Sequence, residues 1–170
     1  MSDVTKLIIR RADVEDLQEV SKVLALSWKS EMSGIVHDDY LETIREDRWI
    51  EPLSSGLNDG QMYISVLESA EGIQGVAVLR TADEVGTANL VGFYLLPERT
   101  GQGYGGFFFD FLEMEMLDSG YKKCVLDVLD GNARAIRFYE KKGFSYTGKT
   151  EKVPLGDHEY FCKIYEKELI

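Results

Sequence analysis

Residues 100–106 (T-G-Q-G-Y-G-G) place four glycines between the apolar run 88–96 and a helical pattern carried by Phe107, Phe108, Phe111, Leu112 and Met116. A chain built this way must pass from strand to helix through backbone that glycine adopts at least cost. Such a turn aims successive N–H groups inward, and the helix start adds partial positive charge. Together they form an anion cradle of a size that suits a diphosphate. Gly120 stops the helix and residues 123–129 (KCVLDVL) read as the next strand, so 88–129 is a strand, glycine loop, helix, strand unit. A crossover of this kind makes its two strands parallel.

The rest of the chain reads around that unit. Residues 5–11 (TKLIIRR) are a short first strand, and Asp13 caps a helix with Asp16 at its third position and Leu17, Val20, Leu24 and Trp28 at helical spacing. Asp38 caps a second helix carrying Tyr40, Leu41 and Ile44. The stretch 49–60, with Pro52, Ser54, Ser55, Gly56, Asn58, Asp59 and Gly60, reads as a loop. Runs 62–68 and 73–80 form a hairpin that continues into 88–96 as an antiparallel meander. Residues 132–142 are a helix closed by Gly143, and 144–153 with 158–169 are a final strand pair. With 170 residues the chain is expected to be one domain, 1–170, of α/β class: a mixed sheet with helices on both faces.

Charge narrows the partners. A net charge of −11 is the wrong sign for neutralising nucleic-acid phosphates, so no nucleic-acid partner is expected. Residues 1–85 hold 17 acids against 8 bases, and 86–170 hold 13 against 11. An anionic ligand is thus expected in the second half, and a cationic one is steered toward the first. Cys124 and Cys162 sit in strand-like sequence without a CxxC pattern or neighbouring histidine, and His37 and His158 have no ligand-spaced partner. Two reduced thiols and no metal are the expectation. No leader pattern and no run of 18 apolar residues occur, so a cytoplasmic protein without membrane contact is expected.

Three phosphate-loop chemistries compete for residues 100–106. A Walker loop ends in G-K-[ST], where this chain has Gly105, Gly106 and Phe107. Gly101, Gly103 and Gly106 match the dinucleotide spacing G-x-G-x-x-G, but they follow an antiparallel meander and no acid ends a second strand about 20 residues on. Residues 96–105 (LPERTGQGYG), followed by Asn132 and then 138–144 (FYEKKGF), resemble the GNAT superfamily of N-acetyltransferases in the order and separation of two motifs. The first matches that family's acyl-CoA pyrophosphate loop, [RQ]-x-x-G-x-[GA], with Gly103 and Gly105 on its glycines. Thr100 stands where the family has Arg or Gln, and Arg99 is displaced by one position. The resemblance implies a mostly antiparallel sheet of about seven strands flanked by about four helices, and acetyl-CoA as co-substrate without a metal.

Helix geometry gives the second motif meaning of its own. At 100° per residue, Asn132, Ala135, Ile136, Tyr139 and Gly143 share a stripe within about 60° of Tyr139. The resemblance puts Asn132 on the pantetheine arm and makes Tyr139 the acid that protonates the departing thiolate; a cap at Asn132 and a packed Tyr139 are the structural alternative. It also implies cofactor contacts at Tyr94, Leu95, Leu96, Thr100, Gly101, Gln102, Gly103, Tyr104, Gly105, Gly106 and Ile136. A splayed gap between 90–96 and 124–129 would present a main-chain N–H near Leu95 to the thioester. Arg134, Arg137 and Lys141 lie about 140–160° from Tyr139 and read as a solvated face, whereas Lys142 at the stripe's edge is a phosphate candidate.

The position of the family's strand glutamate falls at Asn89. The base is then Asp127, an acid of the first helices such as Glu31, or a water relay. Trp28, Glu31 and Tyr40 lie in the segment that shapes the acceptor pocket in the family. An N-acetyltransferase acting on a primary amine by direct attack is the leading reading. The acceptor is expected to be a small-molecule or peptide amine; an acyl-CoA-binding sensor or partner-binding module without turnover is the alternative, and exposed strand edges leave a homodimer open.

Overall fold

The computed structural model describes residues 6–169, which form a seven-stranded sheet in the order β1-β2-β3-β4-β5-β7-β6. Strands β1 (Ile8–Arg11), β2 (Met62–Ser69), β3 (Gly72–Thr81) and β4 (Thr87–Leu95) make the antiparallel meander. β4 then meets β5 (Lys123–Leu129) in parallel, while β7 (His158–Glu168) and β6 (Ser145–Leu155) restore antiparallel pairing. The parallel pair falls where the glycine crossover requires it. Thr5, expected in the first strand, lies outside the described residues.

Five α-helices accompany the sheet: α1 (Leu17–Met32), α2 (Asp38–Leu41), α3 (Ile50–Asn58), α4 (Tyr104–Asp118) and α5 (Ala133–Lys141). The alternation along β3 shows how two layers are served by one strand. Val76 and Val78 pack with Leu17, Val20 and Leu24 of α1 and Leu53 of α3; Ala77 and Leu79 pack with Phe108, Phe109 and Leu112 of α4. Phe108, Phe109 and Leu112 are fully buried, each contributing about 1.5–3 kcal/mol of transfer free energy.

Helix α3 corrects the expectation of a loop over 49–60. Its turn-forming residues are compatible with a helix because Pro52 is the third helical residue, where no N–H is needed. Ile50, Leu53 and Leu57 recur at helical spacing and join the α1 cluster, so tertiary burial overrides weak propensity. A Cβ at Gly56 would meet the Met62 side chain, which would have to move to admit it. The cap of α2 also shifts by one residue: His37 precedes the helix and Asp38 is its first residue.

The start of α1 is fixed by charge. Asp13 Oδ1 accepts from the Glu15 N–H at 2.9 Å and Asp16 Oδ2 accepts from the Asp13 N–H at 2.9 Å, a capping box on the short 3₁₀ turn Val14–Asp16. Arg10 of β1 donates to both Asp16 oxygens at 2.9 Å and to Glu68 of β2 at 2.8 and 3.2 Å. The Arg10 hydrogen bond, ahead of all other causes, holds the Asp16 carboxyl down from 3.8 to about 2. A depressed carboxyl stabilises the fold fully above its unfolded value and loses that contribution as pH falls through the folded value. Urea midpoints of wild type and Asp16→Asn should therefore differ at pH 6 and converge as pH falls from 3.8 toward about 2. A gap independent of pH would remove the ion pair from this account.

Candidate active site

The cleft begins where two strands part. β4 and β5 pair only from Thr87 and Lys123 to Leu90 and Leu126. Beyond that point β4 stays on β3 as far as Leu95 opposite Gly75, and β5 stays on β7 as far as Leu129 opposite Cys162. Val91 is the extra residue of a bulge, since Leu79 faces Leu90 while Val78 faces Gly92, and the bulge bends β4 away. Strand residues send N–H groups alternately to opposite edges. The Leu96 N–H donates to Gln74 on the β3 side at 2.9 Å, so the Leu95 N–H faces the opening.

The glycine loop closes one end of that opening. Gly101 (φ 74°) and Gly103 (φ 85°) occupy the left-handed region, and Gly103 precedes the first residue of α4. The Thr100 hydroxyl donates to the Pro97 carbonyl at 2.8 Å and the Gln102 amide to the Glu98 carbonyl at 2.7 Å, folding the loop on itself through side chains. Among the described residues the main-chain N–H groups of 101–106 have no protein acceptor. An unpaired row of amides at a helix start is a built anion cradle. Arg99 does not reach it: its guanidinium bonds Gln74 at 2.8 Å and Glu71 at 3.1 Å.

A cleft of about 700 Å³ runs from this loop along α5 to α1. Of the residues singled out in the sequence, Tyr94, Leu95, Thr100, Gly101, Gly103, Gly105 and Gly106 line it from the strand and loop side. Glu31, Asn132 and Tyr139 line it from the helices. Leu96, Gln102, Tyr104 and Ile136 do not; Tyr104 and Ile136 pack into the α4 core, and Leu96 into the α1 core. Trp28 and Tyr40 do not line the cleft and pack against each other edge to face at 5.9 Å.

Tyr139 is 9 % exposed, its ring set among Phe109, Phe138 and Phe144 at 6.1, 5.4 and 5.7 Å. Burial, with Tyr94 and Glu31 adding to it, pushes its phenol well above the usual value, so it stays protonated. Burial also raises Glu31, opposed by the Asn132 hydrogen bond and the charge of Arg134. Asn132 Nδ2 donates to Glu31 Oε1 at 3.1 Å while its Oδ1 caps α5 by accepting from the Ala135 N–H at 3.2 Å. Its carboxamide is thereby committed to holding Glu31 and the helix start. The Ser27 hydroxyl, on the cleft wall, is the one buried side-chain polar atom without a partner among the described residues.

Arg134, Arg137 and Lys141 are exposed, as a solvated face requires, and they also border the cleft. Lys142 is ion-paired with Asp110 at 2.7 Å and does not line the cleft, although its Nζ stays beside Gly106 of the loop. Asp127 is exposed on β5 and does not line the cleft, and desolvation with the neighbouring Glu151 charge raises its carboxyl. One expectation changes. His37 and His158 do have a partner: their rings stack at 4.1 Å and both approach Asp39. Sequence reasoning also missed Ser27, Ser30 and Phe93, whose only signal is helical or strand phase with Glu31 and Leu95. Cys124 and Cys162 are free and buried, as expected. Among the described residues no helix is long and apolar enough to cross a membrane.

Comparison with known proteins agrees with this geometry. Residues 22–144 match the family model described as "Acetyltransferase (GNAT) family". The chain is 29 % identical over 139 residues to the spermidine N(1)-acetyltransferase of Thermoplasma acidophilum, covering 80 % of this chain and 86 % of that one. It is 27 % identical over 136 residues to the uncharacterized N-acetyltransferase YuaI of Bacillus subtilis, covering 78 % and 76 %. The crystal structure of the PaiA N-acetyltransferase of Thermoplasma acidophilum in complex with coenzyme A superposes with a TM-score of 0.77 at 27 % identity, over 96 % of this chain and 99 % of that one. An N-acetyltransferase structure from Staphylococcus aureus, at 19 % identity, shares the fold with a TM-score of 0.74 over 98 % and 100 %. The split sheet, the amide cradle and the two sequence motifs thus have one common explanation, and the chain belongs to the GNAT family of acetyltransferases.

Proposed function

We propose that the protein moves an acetyl group from acetyl-CoA to a primary amine of a cationic small molecule by direct attack in a ternary complex. The observation that carries this reading is the shared cleft, lined by the glycine loop with its unpaired amides, by Tyr139 and by Glu31. The residues present fit the donor. Main-chain N–H groups of 101–106 receive the diphosphate, Arg134, Arg137 and Lys141 add positive charge at the rim, and the Ser27 hydroxyl offers an unmet hydrogen bond deeper in. Bound acetyl-CoA supplies an activated thioester carbonyl. The Leu95 N–H polarises that carbonyl, and Tyr139 gives its proton to the sulfur that leaves.

Glu31 is the acid best placed for the amine. It lines the cleft, whereas Asp127 does not, and Asn132 holds one of its oxygens. Its carboxylate attracts an ammonium group and, with its affinity for protons raised by burial, takes the proton that the amine must lose before attack. The spermidine N(1)-acetyltransferase relative and the acidic first half of the chain support a polyamine-like acceptor.

Calorimetry with acetyl-CoA, followed by thiol release across a panel of amines, tests the proposal. Saturable cofactor binding and turnover with polycationic amines are expected. Glu31→Gln should raise KM for the amine while leaving acetyl-CoA affinity unchanged, since the amide keeps the Asn132 contact and removes the charge. Cofactor binding without thiol release for any amine would replace this reading with a sensor.

A further inference from the structure

We propose that His37, Asp39 and His158 form a binding site for a divalent transition-metal ion of the zinc class, outside the acetyl-transfer cleft. Two distant segments supply the three residues: His37 precedes α2 and Asp39 is its second residue, while His158 opens β7. One ligand atom from each lies within 4.8 Å of the other two. Asp39 is bracketed, with Oδ1 3.3 Å from His37 Nδ1 and Oδ2 3.5 Å from His158 Nε2.

Those two distances, one to each oxygen of Asp39, are those of an ion-paired cluster whose donor atoms also stand at the separation a metal site uses. A charge-assisted hydrogen bond closes to about 2.7–2.9 Å. Zinc bonds of about 2.0–2.1 Å at the tetrahedral angle set neighbouring donor atoms about 3.4 Å apart. The observed spacings of 3.3 and 3.5 Å lie near that separation, and because the two rings stack at 4.1 Å and 13° the imidazoles must rotate before their lone pairs meet at one ion. His37 and Asp39 are 61 % and 59 % exposed and His158 37 %, so the ring rotations that bring three lone pairs to one point meet little packing.

The surroundings fix the frame and favour positive charge. The His37 N–H donates to the Tyr160 hydroxyl at 2.9 Å, which ties the approach to α2 to β7. A groove of about 540 Å³ beside the cluster carries Asp38 and Glu159, leaving room for water or a further carboxylate at the open coordination position. Two imidazoles and one carboxylate are a donor set for zinc, nickel or copper, and magnesium and calcium prefer oxygen alone. Ile35 lines both this groove and the active cleft. A bound ion would therefore clamp the α1–α2 connection to the β6–β7 hairpin next to the acceptor end of the cleft.

The test uses the full chain without a histidine tag, stripped by chelator and titrated with zinc chloride in a calorimeter. One ion per chain is expected, with no heat from magnesium chloride. His158→Ala and His37→Ala should each abolish the titration, and cobalt added in place of zinc should give the visible absorption of a tetrahedral nitrogen and oxygen site. Should an alanine variant lose its circular dichroism, the near-isosteric and exposed Asp39→Asn gives the same reading by losing zinc while remaining folded. No zinc binding by the wild type, or an isotherm unchanged in these variants, overturns the proposal. None of these readouts depends on acetyl transfer.

Discussion

Tyr139→Phe is expected to lower kcat by about 10²-fold or more while calorimetry finds acetyl-CoA binding unchanged. The substitution removes one oxygen and keeps the ring that packs on Phe109, Phe138 and Phe144. No described side chain hydrogen-bonds that hydroxyl, so no partner is orphaned and stability should hold. The loss is then chemical. Burial keeps the phenol protonated well beyond the usual range, which suits the proposed role of Tyr139 as an acid and not as a base. A thiol has a pKa of about 8.5, so the departing sulfur needs that proton less as the medium becomes more alkaline. The deficit of the variant should accordingly shrink as pH rises past about 8.5. Equal turnover in variant and wild type, or a deficit that stays constant with pH, would reassign the acid.

What could be read from the sequence was whatever one stretch of chain decides locally. The glycine loop required left-handed backbone before α4 and has it at Gly101 and Gly103. The Asp13 and Asp16 box and the α5 stripe are likewise properties of a single turn or helix. Asn132 shows the limit of that reading, because its side chain does cap α5, but its other end is held by Glu31, a residue of α1. The opening between β4 and β5 is a loss of pairing and leaves little trace in either strand; only the family resemblance foretold it. Helix α3 was hidden by residues that favour turns in isolation and are tolerated here because Leu53 reaches the core. His37, Asp39 and His158 meet only after β7 has been placed beside the end of α1, a juxtaposition that no spacing encodes.

The largest loss of stability is expected from Phe109→Ala. Phe109 has no exposed surface and stands at the centre of an aromatic group, with Phe93, Phe138, Tyr139 and Phe144 around it at 5.5–6.1 Å, all steeply inclined to its ring. Truncation removes the buried ring and leaves a cavity that these rigid neighbours fill poorly, which costs about 3–5 kcal/mol. For a chain of this size the melting temperature should fall by about 6–20 °C. Phe107, two residues earlier on the same helix, is 54 % exposed, and its change to Ala should shift stability by no more than about 0.5 kcal/mol. The contrast also reaches function, since the emptied space lies under the Tyr139 ring and frees a side chain whose position sets the direction of its hydroxyl. Phe109→Leu, which refills part of the volume, should recover stability and turnover together. Recovery of stability with turnover still lost would mean that ring packing orients the acid more strictly than volume alone. Equal effects of Phe107→Ala and Phe109→Ala would show that α4 does not bury the face described here.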